Sequence, residues 1–187
     1  MSDGGARTQR AALRRASLSY GVTEDEAEAI RRYQAHDGTH ESLNTLLRGR
    51  SARPPEVRRL RTILRGLDSI LQRAELPVAV TVFKGVTDID LLLPPDDPLP
   101  TVLAQHAYLS TTLDRRVAVR EFMGSEPRAA LLQITAPAGV PGLWLPPIGD
   151  REYAYESEVL FRRGTLLAFL DRRVDRGILM ASCEVVW

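Results

Sequence analysis

The chain changes its hydrophobic period once, near Pro77. Before that point apolar positions recur at three and four residues. After Pro54-Pro55, the residues Val57, Leu60, Ile63, Leu64, Leu67 and Leu71 form one stripe, which predicts a long helix to about Ala74. Upstream, Thr23-Glu-Asp-Glu26 has the form of a capping box, with Thr23 as N-cap and Glu26 three residues on. It opens a helix through about Gln34, with Ala27, Ile30 and Tyr33 facing inward. A further helix starts at Thr39 or His40, carries Leu43, Leu46 and Leu47, and is stopped by Gly49. Residues 1–19 show no such stripe and read as a flexible basic arm.

Past Pro77 the spacing shortens. Val78–Phe83 is a β-rich run, and Leu91–Pro100 is a proline-rich loop without regular structure of its own. Tyr108–Thr112 reads as a short strand ending in hydroxyls, and Asp114 caps a short helix through Phe122. Further strands are expected over 129–136, 143–145, 157–161, 165–172 and 177–186. Helices followed by antiparallel strands make an α+β fold. The expected organisation is the arm followed by one domain over 20–187, helical over 20–76 and β-rich over 77–187.

Composition narrows the functional classes. A hydrophobic fraction of 44% and a charged fraction of 26% belong to an ordinary globular protein. No apolar run approaches the roughly 20 residues that span a bilayer, so no membrane partner is expected. The amino terminus lacks the apolar core of a secretory signal peptide. The expected setting is therefore the producer's cytoplasm, or export by a non-classical or injected route. Cys183 is the only cysteine, lies in a strand-like run, and is expected to be buried and inert.

The net charge is +1, and of 25 basic residues only Lys84 is a lysine. The arginines at 50, 53, 58, 59, 61 and 65 read as a solvated helix face, and nucleic acid is not expected as a partner. His36, His40 and His106 have no cysteine pair at metal-binding spacing, so no metal is expected. Trp144 and Trp187 read as packing residues.

The candidate chemistry centres on Glu156-Ser-Glu158. In an extended strand, residues i and i+2 face the same side about 6–7 Å apart, so two carboxylates would share one edge and repel. Such a pair suits glycosyl transfer. One acid stabilises positive charge on a sugar ring while the other orients or deprotonates a nucleophile. Cleavage of the nicotinamide–ribose bond of NAD has the same electrostatics, so a glycosidase and an ADP-ribosyltransferase both fit. Phe83-Lys84-Gly85 could present charge and close-approaching backbone to a pyrophosphate. Ser110-Thr111-Thr112 could fix a catalytic glutamate or a ribose.

Taken in order, Lys84-Gly85, Ser110-Thr111-Thr112 and Glu156-Ser-Glu158 resemble the three signatures of ADP-ribosyltransferase exoenzymes of the Arg-Ser-Glu, clostridial binary-toxin-like class. The helical segments ending in Tyr33 and containing Asn44-Thr-Leu-Leu-Arg48 are similar to that family's lead-in, and the resemblance covers roughly residues 22–187. It implies an ADP-ribosyltransferase-like fold, with the helical segment packed on a core of two antiparallel or mixed sheets.

The resemblance also implies roles. Glu158 would bind the nicotinamide ribose and stabilise the oxocarbenium, Glu156 would activate an arginine acceptor, and Ser110 would position Glu158. Lys84, Gly85, Thr111, Thr112, Arg48 and Phe122 would contact NAD, with Arg48 and Asn44 on its adenine side and Phe122 against nicotinamide. Tyr153 and Tyr155, in the loop 150–155, would meet a protein target. A bacterial or phage toxin or effector is the implied setting, with an inhibitor or immunity protein as a further partner.

Lys84 stands where the family has arginine. Lysine keeps the charge but loses the planar fork, so weaker NAD binding is expected. The alternatives are a catalytically weakened NAD-binding or interaction module and an NAD glycohydrolase.

Overall fold

Among the described residues, four α-helices precede the first strand. The structure is a computed structural model that describes residues 3–35, 37–49, 54–94 and 97–186. His36, Arg50, Arg53 and Trp187 therefore lie outside the described residues. Helix α1 (Asp3–Ser19) occupies the stretch expected to be a flexible arm. Its inner face carries one leucine among small and polar residues, which leaves almost no hydrophobic period to detect. Leu13 and Ser17 are buried on it. Ser17 Oγ donates to Trp144 O at 2.9 Å, and Gln9 Nε2 donates to Ala79 O at 2.9 Å.

Helix α2 (Glu24–Gln34) begins at the predicted capping box. Glu26 Oε2 accepts from Thr23 N at 2.9 Å, and Thr23 Oγ1 accepts from Glu26 N at 3.3 Å. The same glutamate joins α2 to α4 (Pro54–Leu71), accepting from Arg73 Nη2 at 2.5 Å and Ser69 Oγ at 2.6 Å. The Arg73 bond is the main reason its pKa falls to about 2. The helices cross closely at Gly66, where an added Cβ would lie 2.6 Å from Ala29 Cβ. The inward positions of α2 are Glu26, Ala29, Ile30, Tyr33 and Gln34, whereas Ala27 is only partly buried. Helix α3 (Thr39–Leu47) ends just before Gly49, which has a φ of 75°.

The strands are β1 (Val80–Val86), β2 (Thr101–Ala104), β3 (Leu109–Thr112), β4 (Ala130–Ala136), β5 (Gly142–Trp144), β6 (Glu158–Phe161), β7 (Leu166–Asp175) and β8 (Ile178–Val186). They form one mixed sheet of order β2-β7-β8-β4-β1-β3-β6-β5, in which β4 and β8 run parallel. The two sheets expected from the sequence are thus joined, but barely. Between β1 and β3 a single register pair, Phe83 opposite Thr112, connects a five-strand half to a three-strand half. One core cluster holds Val82, Leu132 and Ile134 from one half with Leu109, Val159 and Phe161 from the other.

A second cluster packs Ile30, Leu43 and Leu60 of the helices against Leu143 and Leu160 of the three-strand half. Helix α5 (Arg115–Val117) continues as a π-helical turn over Ala118–Phe122, and Ala118 packs there on Leu131 and Met180. Strand β2 is absent from the sequence prediction. It is four residues long, half exposed at Val102, and sits at the sheet edge, so neither length nor alternation marks it. Cys183 is buried in the core, which pushes its thiol up to about 12. Among the described residues no helix is long and apolar enough to cross a membrane.

Candidate active site at the division of the sheet

The cleft opens where the two halves of the sheet part. Pairing of β3 with β6 sets Ser110 opposite Leu160 and Thr112 opposite Glu158. Ser110 and Glu158 therefore sit diagonally on one face. Ser110 Oγ donates to Glu158 Oε1 at 2.6 Å, and Gln34 Nε2, from the end of α2, donates to Oε2 at 3.0 Å. Glu158 as a residue is only 5% exposed. Burial raises its pKa above the ordinary carboxylate range, while the bonds from Ser110 and Gln34 and the charge of Lys84 oppose that rise.

Lys84 lies on β1 directly across the division. Its Nζ donates to Ser110 O at 3.1 Å, so the ammonium links β1 to β3 beside their single register pair. Burial lowers its pKa, the nearby Glu158 charge raises it, and Arg48 lowers it further. A cation and an anion thus share one cleft, each favouring the charged form of the other.

Glu156 reaches the same cleft by a different route from the one its spacing predicts. It is the last residue of a 3₁₀ helix (Arg151–Glu156), and Ser157 then turns left-handed, with φ 49° and ψ 41°, before β6 begins at Glu158. The two acids are not neighbours on one strand face. A helix end and a non-glycine residue in the left-handed region, costing about 1–2 kcal/mol, bring them together.

Both acids line a cleft of about 580 Å³, with Tyr33, Asn44, Arg48 and Phe122 among the other wall residues. Asn44 Oδ1 is buried there without a hydrogen-bond partner among the described residues. Arg48 is exposed at the end of α3.

The hydroxyl row divides its work. Ser110 holds Glu158, and Thr111 Oγ1 donates to Val159 O at 2.7 Å, which leaves it on the wall but engaged with β6. Thr112 Oγ1 donates to Glu156 O and accepts from Asp114 N at 2.9 Å. Thr112 is not on the cleft wall and instead fixes the backbone that carries Glu156.

Gly85 lines the cleft and has a packing role as well. A Cβ there would fall 2.4 Å from both Met123 N and Phe122 C, so the glycine lets the π turn close on β1. That approach sets Phe122, 40% exposed, at the cleft.

The tyrosines of the 150–155 segment lie outside the wall. Tyr155 is 54% exposed and its hydroxyl donates to Glu121 Oε2 at 3.0 Å, the main reason its pKa rises to about 12. Tyr153 is partly buried.

Sequence reasoning misses Gln34, read there only as the end of a helix, although its position four residues after Ile30 puts it on the inward face. It also misses Tyr108 and His40, whose rings meet Tyr33 edge-on at centroid distances of 6.0 and 6.4 Å. Burial, then the charge of Glu158, pushes the Tyr33 hydroxyl far above its usual range. Among the described residues no group of three histidine, cysteine or acidic side chains is arranged to hold a metal.

No protein-family model matches the chain, and no curated protein sequence matches it. Solved structures do. Plx2a, an ADP-ribosyltransferase toxin from Paenibacillus larvae, is 19% identical, with a TM-score of 0.75 over 98% of this chain and 97% of its own. C3stau2 from S. aureus, solved with NAD, is 16% identical, with a TM-score of 0.74 over 96% and 95%. The ADP-ribosyltransferase Vis from Vibrio splendidus, in complex with agmatine, is 18% identical, with a TM-score of 0.70 over 100% and 86%. The chain has the fold of these ADP-ribosyltransferases, as expected from the order of its motifs.

Proposed function

We propose that this protein is a mono-ADP-ribosyltransferase that moves ADP-ribose from NAD to an arginine side chain of a protein target, acting as a toxin or effector. The observation that carries the reading is Glu158, a buried carboxylate fixed through both oxygens by Ser110 and Gln34 and facing Lys84, with Glu156 in the same cleft. Such an arrangement is poised to stabilise positive charge, because the carboxylate is already oriented by its two hydrogen bonds before any substrate binds. The fold supports NAD as donor, C3stau2 having been solved with it. Vis binds agmatine, a guanidinium compound, which supports an arginine-type acceptor.

In the proposed reaction the bond between ribose C1′ and the nicotinamide nitrogen breaks, and its electron pair neutralises the pyridinium. Glu158 stabilises the charge left on the ribose. An acceptor guanidine nitrogen forms the new bond to C1′, and Glu156 takes up its proton.

Lys84 has three N–H donors, and one is engaged by Ser110 O, which leaves two for a pyrophosphate oxygen. Arg48 and the unpartnered Asn44 Oδ1 face the adenine side, and Phe122 stacks on nicotinamide. Thr111 and Thr112 support the site from behind, Gly85 admits the π turn, and Tyr153 and Tyr155 are offered to the target.

The engagement of Lys84 by Ser110 O favours one competing reading, a weakened NAD-binding module. Glu156→Gln tests the proposal. Nicotinamide release to water should continue at close to the wild-type rate, while transfer to agmatine falls on the order of a hundredfold, the usual effect of losing a positioned base. Equal loss of both activities, or transfer that persists, would remove Glu156 from the acceptor role.

A further inference from the structure

We infer that Gln34 is a positioning residue for the transfer step, because its one amide ties Glu158 to the start of the segment that carries Glu156. The inference rests on the transferase reading above. Gln34 Nε2 donates to Glu158 Oε2 at 3.0 Å, and Gln34 Oε1 accepts from Asp150 N at 3.1 Å. Asp150 caps the 3₁₀ helix, its Oδ1 accepting from Glu152 N at 3.0 Å, and that helix ends at Glu156. Both ends of the segment 150–158 are therefore held by a side chain from α2, more than a hundred residues away in sequence.

The amide has one usable orientation. Rotating it by half a turn would set its oxygen against the Glu158 carboxylate and its NH₂ against the Asp150 N–H, losing both bonds to like-charged contacts. Packing leaves it no other place. A Cβ on Gly149 would lie 2.0 Å from Gln34 Oε1 and 3.3 Å from Ile30 Cγ2, so the chain crosses directly over the amide and a larger residue there would displace it. Gln34 itself is 8% exposed.

The consequence for chemistry is specific. Donor cleavage depends on Glu158, whose Oε1 would still be held by Ser110 without Gln34. Transfer depends in addition on the spacing between Glu158 and Glu156. That spacing crosses the left-handed Ser157, which Thr112 and Leu113 tie down from the β3 side through the carbonyls of Glu156 and Ser157, while Gln34 is the tie from the helical side. Removing the amide should therefore reduce transfer more than hydrolysis. Burial, Ser110, Gln34 and Lys84 of β1 set the ionisation of Glu158, and the other titratable or charged groups that line its cleft are Tyr33 of α2, Arg48, His40 and Glu41 around α3, Tyr108 before β3, Glu121 of the π turn, and Glu156. Among them Gln34 adds a donor bond to the ionised form.

Two substitutions test this in the full chain. Gln34→Met keeps the length and removes both bonds. Gln34→Glu keeps an acceptor for Asp150 N and replaces the donor to Glu158 by a second charge. The measurements are nicotinamide release to water, transfer to agmatine, the ¹³C NMR titration of the Glu158 carboxyl, and thermal unfolding.

In Gln34→Met, transfer should fall about tenfold more than hydrolysis, and the Glu158 carboxyl should titrate about one pH unit higher, the loss expected for one hydrogen bond to an ionised group. In Gln34→Glu the titration should move up further, with the acid limb of the pH–rate profile following it. A merely structural role predicts equal loss of both activities and an unmoved carboxyl titration, and that result overturns the inference. If Gln34→Met does not fold, Gln34→Glu alone decides by the same titration. Should the wild type release no nicotinamide at all, the transferase reading fails, while an upward titration shift would still establish that Gln34 governs Glu158.

Discussion

Replacing Gly85 with alanine separates two reasons for a glycine beside Lys84, room for a ligand and room for the protein itself. The added Cβ would sit 2.4 Å from Met123 N and Phe122 C and 2.6 Å from Met123 Cα. Carbon atoms rest about 3.5–4.0 Å apart, so the π turn Ala118–Phe122 and Met123 must retreat by about 1 Å. The obstructing atoms are backbone, which cannot rotate away. The cost should fall in the upper part of the overpacking range of about 1–3 kcal/mol, near 2–3 kcal/mol.

For a domain of this size each kcal/mol lowers Tm by about 2–4 °C, so thermal unfolding without NAD should show a drop of about 5–10 °C. Calorimetry should show weaker NAD binding as well, since Phe122 moves with the turn. A Tm within about 1 °C of wild type combined with weakened NAD binding would refute the packing argument and restore the glycine to a ligand-approach role.

Other outcomes follow from the charged groups. Glu26 has a pKa of about 2 in the folded protein against about 4.3 for free glutamate, so its stabilisation is full above about pH 4.3 and disappears as the pH falls towards 2. With Arg73 more than one-third exposed, Glu26→Gln should cost about 2 kcal/mol at pH 7, and thermal unfolding should show the gap closing below about pH 3. In the proposed reaction Glu158 acts ionised, and its pKa is raised. The acid limb should therefore lie above the ~4.3 of free glutamate and move higher in Ser110→Ala; a limb at or below that value would contradict the burial argument.

How much of this was legible in the sequence depended on how local the cause was. The Thr23–Glu26 box, the α4 stripe and the strands around Val82 and Leu132 are written in neighbouring residues, and they form where expected. Helix α1 is held by Ser17 and Gln9 reaching distant carbonyls, and hydroxyl or amide positions carry no hydrophobic period. Ser110, Lys84, Glu156 and Glu158 come together in one cleft, as the order of motifs suggested.

The means of assembly were not legible. Ser157 leaves the strand geometry assumed for the acid pair, because a left-handed serine is imposed by its surroundings rather than by its own preference. Gly85 and Thr112 matched family positions, yet the contacts that employ them lie on the π turn and on the Glu156 carbonyl. Gln34 becomes meaningful only once residues 150 and 158 lie beside it.

If the buried, doubly held Glu158 drives cleavage of NAD, that cleavage must depend on its charge. The most direct measurement is nicotinamide release by wild type and Glu158→Gln, with folding of both checked by thermal unfolding. Wild type should release nicotinamide, and Glu158→Gln, which keeps the shape and loses the charge, should be slower by on the order of a hundred- to a thousandfold. Equal rates in the two proteins, or a folded wild type that releases none, would contradict the account.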